Sequence, residues 1–254
     1  MIKMIMHGCN GRMGQMITKL AKDDPEIEIV AGVDISDTIK NDYPVYGSIV
    51  ECNEEADVVV DFGAATAIDL LLSTCADRKL PVVVCTTGLS EAQISHLNET
   101  SKTVAILRSA NMSLGINLLM KLLKDSVKTL ADAGFDIEIV EKHHRMKLDA
   151  PSGTALALAD AINEAAVEPY EYVYDRSSVR QRRDAKELGI SAVRGGTIVG
   201  DHDVIFAGED EVITFSHRAY SRAVFAKGAI SAAKFLAGKN TGLYDMADVI
   251  NAKS

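Results

Sequence analysis

The period of apolar and polar positions changes repeatedly along the chain, and each change marks an element. Residues 2–6 are apolar except for Lys3, the pattern of a buried strand. The run passes through Gly8-Cys9-Asn10-Gly11-Arg12-Met13-Gly14 into Met13, Met16, Ile17, Leu20 and Ala21 at helical spacing. Ile27–Val33 predicts a second strand, ending at Asp34. The alternation continues with a strand over 57–62, a helix over 66–78, a strand over 82–85, a helix opened by the capping-box tetrad Ser90-Glu91-Ala92-Gln93, and a strand over 104–107. Strand and helix in this order predict a parallel, doubly wound α/β sheet of the Rossmann type, in which ligands lie beyond the carboxyl ends of the strands.

Beyond residue 113 the pattern changes. Ile116, Leu119, Met120, Leu123, Val127 and Leu130 predict a long amphipathic helix that links two domains. A β-branched strand from Ile137 then leads into Glu141-Lys142-His143-His144-Arg145-Met146-Lys147-Leu148-Asp149, read as a loop dense in titratable groups. Pro151-Ser152-Gly153-Thr154 follows and opens an alanine-rich helix over 155–166. Segments 190–193, 197–199, 203–206 and 212–216 are short, β-rich and turn-bounded, which suits an antiparallel sheet. The basic run Arg176, Arg180, Arg182, Arg183 and Lys186 reads as a solvated face. Residues 223–236 are helical again, with small side chains for close packing, and Gly238 stops them. This tail is expected to fold back on the first domain. Residues 1–113 and 223–254 would then form a dinucleotide-binding domain completed by the C-terminal helix, and 114–222 an inserted α+β domain with a mixed or antiparallel sheet.

With 47% hydrophobic and 25% charged residues in 254, the composition is that of a globular chain. A net charge of -9 makes nucleic acid and anionic membrane surfaces poor partners, so an anionic ligand must be met by local positive charge. Cys9, Cys52, Cys75 and Cys85 form no Cys-x-x-Cys pair and read as reduced, buried thiols, with neither zinc nor disulfides indicated. The apolar start is too short for a signal segment, and a cytoplasmic location is expected.

Two stretches carry candidate chemistry. The glycine turn is followed, 20 residues after Gly14, by Asp34, which suits a pyrophosphate on the turn and an adenosine ribose on the carboxylate. Asn10 stands at the middle position of the fingerprint, where glycine is usual, and asparagine tolerates a positive φ. The competing reading is a turn that only packs helix on strand. At later strand ends, Thr86, Thr87 and Asn111 could bond a nicotinamide ribose or carboxamide, or simply serve as turn and cap residues. In the second stretch His143, His144 and Lys147 offer protons and positive charge. Successive strand residues face opposite ways, so both histidines reach one site only from a loop. A metal bound with Asp201, His202 and Asp203 is the alternative, though no His-x-x-x-His spacing supports it. Ser152-Gly153-Thr154 alone reads as a helix cap; beside a cationic loop it becomes a cradle for a small dicarboxylate. His7 reads as a turn residue, and His96 and His217 receive no role. Arg194-Gly195-Gly196 and His217-Arg218-Ala219 could make anion or interface contacts.

The segment 138–155, with its Glu-x-His-His-Arg-x-Lys-x-Asp-Ala-Pro-Ser-Gly-Thr-Ala core, closely resembles the signature of the 4-hydroxy-tetrahydrodipicolinate reductase (dihydrodipicolinate reductase) family of lysine and diaminopimelate biosynthesis. The resemblance extends through Asp61-Phe62, Thr86-Thr87-Gly88, Ala110-Asn111, Val193-Arg194-Gly195-Gly196, Ser221-Arg222 and Thr241-Gly242-Leu243-Tyr244-Asp245-Met246. It implies reduction of a cyclic imine by NADH or NADPH, with His143 as catalytic proton donor and Lys147 as second donor. His144, Gly153 and Thr154 would hold the substrate carboxylates. Gly8, Cys9, Asn10, Gly11, Arg12, Met13, Asp34, Cys85, Thr86, Thr87, Ser109, Ala110, Asn111 and Met112 would hold the cofactor. Cys85 replaces a common glycine, so only its backbone contact transfers. The resemblance further implies a homotetramer built through the sheet of the inserted domain. Asp34 followed by Ile35, where a basic residue is frequent, predicts that NADH is preferred and NADPH tolerated, with Arg12 and Lys40 as substitute cations. The cationic loop is expected to face the nicotinamide across the domain cleft. Another NAD(P)-dependent imine reductase or amino-acid dehydrogenase, or a non-enzymatic dinucleotide sensor, would keep the glycine turn without needing this signature.

Overall fold

The computed structural model describes residues 1–252, so positions 253 and 254 of the expected first domain lie outside the described residues. The chain separates into two compact units, one of Met1–Leu114 with Arg222–Ser254 and one of Gly115–Ser221.

The first unit opens with β1 (Ile2–His7), α1 (Arg12–Lys22), β2 (Ile27–Val33), β3 (Val45–Tyr46) and β4 (Val58–Asp61). A 3-10 turn over Ala65–Ala67 then leads into α2 (Ile68–Arg78), where the sequence predicted an unbroken helix. β5 (Val82–Val84), α3 (Glu91–Thr100) and β6 (Ala105–Arg108) follow. The predicted capping box forms: Ser90 Oγ accepts from Gln93 N at 3.3 Å while Ser90 N donates to Gln93 Oε1 at 3.0 Å. Such a cap stabilises a helix by about 1 kcal/mol.

The second unit contains α4 (Leu114–Asp132, from its second residue), β7 (Asp136–His143), α5 (Gly153–Ala165), β8 (Glu171–Val173), β9 (Glu187–Arg194), β10 (Gly200–Ala207) and β11 (Val212–Ala219). The chain then returns to the first unit as α6 (Ala223–Leu236), β12 (Gly242–Tyr244) and α7 (Met246–Asn251).

The seven strands of the first sheet run in the order β12-β6-β5-β4-β1-β2-β3, and every neighbouring pair is parallel. Alternation along each strand feeds two cores. Met4, Met6, Val58 and Val60 pack with α1 and α6, whereas Ile5, Val59, Val82 and Val84 pack with α2 and α3. Ala226, Ala229, Ala232 and Ala233 of α6 are completely buried, so the small residues of that helix do bring it close to the sheet. β12, unpredicted, extends the sheet by pairing with β6. Strand order reverses between β1 and β4, the switch point at which doubly wound sheets open a ligand crevice.

The five strands of the second sheet run β11-β10-β7-β9-β8. The sheet is mixed: β10 is antiparallel to β7 and β11, but β9 is parallel to β7 and β8. Of the two arrangements expected, mixed or antiparallel, the sheet takes the mixed one: the residues between β7 and β9 include the crossover helix α5, which a parallel pair requires. Residues 197–199, expected as strand, form the connection between β9 and β10. One face of this sheet packs on α4 and α5 through Ile137, Ile139, Leu188, Ile190, Val204 and Phe206. The basic run is not all solvated. Arg183 donates to Asp136, to Glu138 and to the Ile137 carbonyl, and its side chain is only 17% exposed.

Candidate active site

Alternation along β7 sets up the second unit's chemistry. Ile137, Ile139, Glu141 and His143 share the buried face, so one row of side chains passes from hydrocarbon core to charge within the same strand. Glu141 lies opposite His202 of β10 and beside Ala192 of β9, and His143 lies beside Arg194. The Glu141 side chain is completely buried. His143 donates from Nδ1 to Glu141 Oε2 at 2.6 Å; Arg194 grips the same carboxylate with Nη1 at 2.7 Å and Nη2 at 2.6 Å; and the Ser152 backbone N–H donates to Oε1 at 3.0 Å. Burial pushes the Glu141 carboxyl up, but donation by Arg194 and His143 and by the Ser152 amide outweighs it and holds the group below its ordinary value. With Nδ1 committed, the second imidazole nitrogen, Nε2, is the one left for exchange with a ligand.

The same carboxylate positions the start of α5. Ser152 is the N-cap, and its hydroxyl accepts from Ala155 N at 3.1 Å and contacts His202 Nε2 at 3.1 Å. Gly153, the first helical residue, is exposed, and a Cβ there would meet nothing within 4 Å. The start of α5 is thus uncrowded on the Gly153 side, at the positive end of the helix dipole. His202 stacks edge-on against His143 at 5.2 Å; burial and the neighbouring His143 push its pKa down to about 4, so the ring is neutral at pH 7.

His143 is the last residue of β7 and His144 the first beyond it, so the two differ in setting: His143 is buried and His144 half-buried. The loop after β7 is tied to the turn after β9, where Gly195 N donates to His143 O and Arg145 N to Gly196 O. Lys147 pairs with Asp149 at 2.9 Å. The metal alternative does not assemble: alternation along β10 sends Asp201 and Asp203 to the face opposite His202. Among the described residues no group of three His, Cys, Asp or Glu side chains could hold a metal ion.

In the first unit the glycine turn is as tight as the fingerprint requires. Gly8 has φ +79°, and a Cβ on it would lie 2.6 Å from Phe62 O; one on Gly14 would lie 2.2 Å from Gly8 O. α1 begins at Arg12 with Gly11 as an N-cap that makes no side-chain bond, so its first-turn donors are open to an anion. Asn10 is used rather than merely tolerated. Its backbone N donates to Asp34 Oδ2 at 2.9 Å, its amide donates to the Ser36 carbonyl, and Asn41 donates to its Oδ1 at 2.8 Å. Ser36 N donates to the other Asp34 oxygen at 2.9 Å, so the carboxylate is fixed beside a cavity of about 570 Å³ lined by Gly8, Gly11, Asp34 and Ile35. A second cavity of about 420 Å³ is lined by Met13 and by segments 85–87 and 109–112. Phe62 lines both. Each is large enough for half of a dinucleotide. Desolvation raises the Cys9 thiol to about 11, Cys75 to about 12 and Cys85 well above its ordinary value, which leaves them without thiolate chemistry at pH 7.

Glu141 was given no role from the sequence, although its i, i+2 spacing from His143 on a strand was a readable signal; Ser152 was named as part of the cap or cradle, Arg194 only as a possible anion or interface contact, and His202 only as a possible metal ligand. His96 bonds Asp69 on the surface of the first unit.

The fold is shared with solved oxidoreductases. A dipicolinate-bound dihydrodipicolinate reductase from Paenisporosarcina sp. TG-14 superposes with a TM-score of 0.81 at 24% identity, covering 96% of this chain and 97% of that one. A probable dehydrogenase from Thermotoga maritima does so with 0.64 at 13%, covering 99% and 93%. The parallel dinucleotide-type sheet and the second mixed sheet define the fold class that this chain shares with them. Family models described as "Dihydrodipicolinate reductase, N-terminus" and "Dihydrodipicolinate reductase, C-terminus" match residues 2–112 and 115–250. Proteins named 4-hydroxy-tetrahydrodipicolinate reductase are 58% identical in Caldanaerobacter subterraneus subsp. tengcongensis, over 98% of both chains, and 50% identical in Clostridium tetani, over 99% of this chain and 98% of that one. The chain belongs to the dihydrodipicolinate reductase family. No helix among the described residues is long and apolar enough to cross a membrane.

Proposed function

We propose that this chain reduces 4-hydroxy-tetrahydrodipicolinate, or its dehydrated form, to tetrahydrodipicolinate with NAD(P)H in lysine and diaminopimelate biosynthesis. The observation that carries the reading is the buried Glu141–Arg194 pair holding His143 beside the opening of α5. The cofactor supplies hydride from its nicotinamide C4. His143 Nε2 delivers a proton to the ring, and the Glu141 carboxylate stabilises the positive charge on the imidazole while it carries that proton. The N–H groups of Gly153 and Thr154, with His144, receive substrate carboxylate. Lys147 serves as second proton donor and counter-charge, exchanging Asp149 for the substrate; the Asp149 side chain is 57% exposed, so the exchange costs little. A ring held this way is oriented, and negative charge developing on it is neutralised.

In the first unit, Gly8 to Met13 hold the pyrophosphate, Asp34 the adenosine ribose, and Cys85 to Thr87 with Ser109 to Met112 the nicotinamide half. NADH is the preferred cofactor: a 2′-phosphate would approach the fixed Asp34 carboxylate, and Ile35, 98% exposed, brings no cation. Arg12 and Lys40 are both exposed and give NADPH a weaker hold. A homotetramer is supported by the second sheet. The face opposite α4 and α5 carries Val140, Val193, Ile205 and Val212, and Val193 and Val212 are exposed in the single chain. Sedimentation of the purified protein reads the assembly directly.

The test is NADH oxidation with substrate freshly generated by the upstream synthase. Turnover is expected. Binding of NADH without turnover would instead identify a dinucleotide sensor, and oxidation only with other imines or amino acids would identify a different reductase or dehydrogenase on this scaffold.

A further inference from the structure

The two cavities of the first unit share a buried anchor. Asp61 ends β4 and His7 ends β1, and the two are register partners on the parallel strands that flank the switch point. Asp61 is completely buried and His7 is 8% exposed. The carboxylate collects three donors from three segments. His7 Nδ1 reaches Oδ1 at 2.7 Å, the Gly63 backbone N–H reaches the same oxygen at 2.8 Å, and Thr86 Oγ1 reaches Oδ2 at 2.7 Å. Because an ionised carboxylate only accepts, the His7 proton sits on Nδ1.

The three donors do not belong to one wall. His7 and Gly63 line the cavity that holds Asp34, whereas Thr86 lines the cavity formed by segments 85–87 and 109–112. Shape reinforces charge: a Cβ on Gly63 would lie 2.7 Å from the His7 ring, so the turn after β4 rests directly on the imidazole. A buried carboxylate is tolerated only while its donors stay in place, so a shift of any one donor is felt by the other two.

We propose that Asp61, oriented by His7, is a positioning group that sets both halves of the cofactor site at once. His7 is thus a positioning residue and not a turn residue. The proposal rests on the reading of this unit as the NAD(P)H site. It predicts that disturbing the anchor weakens the adenosine and nicotinamide halves together while substrate handling at saturating cofactor is spared.

Three affinities test it in the full-length protein: the Kd for ADP-ribose and for reduced nicotinamide mononucleotide, which report the two halves separately, and the KM for the dicarboxylate substrate at saturating NADH. His7→Leu removes the donor, and both Kd values should rise on the order of tenfold, the equivalent of one charge-assisted hydrogen bond. The substrate KM should stay within about twofold of wild type. His7→Asn keeps an N–H donor and should bring both Kd values back to within about threefold, a rescue that loss of packing alone would not give. If His7→Leu fails to fold, Asp61→Asn, which removes the charge and keeps the shape, is read the same way. Unchanged affinities in either folded variant would overturn the proposal, as would weakening of only one of the two half-ligands, or an Asn variant as weak as the Leu variant. A wild-type protein that bound no NADH would refute the cofactor reading itself, a different outcome.

Discussion

Glu141→Gln preserves the outline of a completely buried side chain and removes its charge. The carboxylate accepts four hydrogen bonds, one from His143, one from Ser152 N and two from Arg194. An amide has one acceptor oxygen and an NH₂ donor, so at least one of these donors would face another donor. Arg194, with its side chain 19% exposed, would lose half of its bidentate partner. Breaking a buried ion pair from one side costs about 3–5 kcal/mol. That should lower Tm by roughly 10 °C or more, followed by circular dichroism. The kinetic effect is separate. The amide NH₂ turned toward Nδ1 makes that nitrogen the acceptor, so the neutral imidazole carries its proton on the other nitrogen, and the charge that supported the imidazolium is gone. A positioned general acid is worth about 10²–10⁴ in rate, so kcat should fall by about 10²–10³ with the NADH Kd within about twofold. Initial rates with synthase-generated substrate measure this below the melting range. A variant with lower Tm but kcat within about threefold of wild type would show that Glu141 only braces the fold. An unchanged Tm would show that the carboxylate does not hold Arg194.

His143→Ala and Lys147→Ala should each depress kcat by about 10²–10⁴ with little change in NADH affinity, and a collapse of NADH affinity would remove this loop from the substrate site. Ile35→Arg places a guanidinium beside Asp34 and should raise the NADPH-to-NADH ratio of kcat/KM by about tenfold; an unchanged ratio would mean that the 2′-phosphate lies elsewhere. His202 gives a pH signature. Its folded value of about 4 lies below the unfolded 6.5, so the unfolded chain takes up a proton that the folded one refuses, and stability is lost as pH falls through that window. The loss amounts to about 3 kcal/mol at most, and urea unfolding of His202→Gln should show a flatter profile there than wild type. Below the ordinary carboxylate value of 4.5, protonation of Glu141, whose folded value is depressed, removes further stability in the same direction.

Most of the fold was legible because its signals are local. Apolar runs and helical spacing located β1, α1, β2, α4, β7, α5 and α6, and the Ser90–Gln93 cap marked the start of α3 at the residue where it occurs. β3, β8 and β12 were missed; they are two or three residues long and exist only by pairing with a neighbour already in place. The parallel course of β9 beside β7 escaped for the same reason, since alternation along a strand reports which faces are buried and not which way the next strand runs.

The sequence by itself determined the chemistry available: a glycine turn with an acid after the second strand, and a His-His-Arg-x-Lys signature before a helix start. The tertiary structure alone decided which groups meet. Arg194 is 53 residues from Glu141 and grips it because β9 lies beside β7, and His7 is 54 residues from Asp61 and meets it because β1 lies beside β4. Spacing along the chain records periods of two and 3.6 residues, whereas a buried carboxylate is satisfied by whichever donors the packed sheet brings within 3 Å.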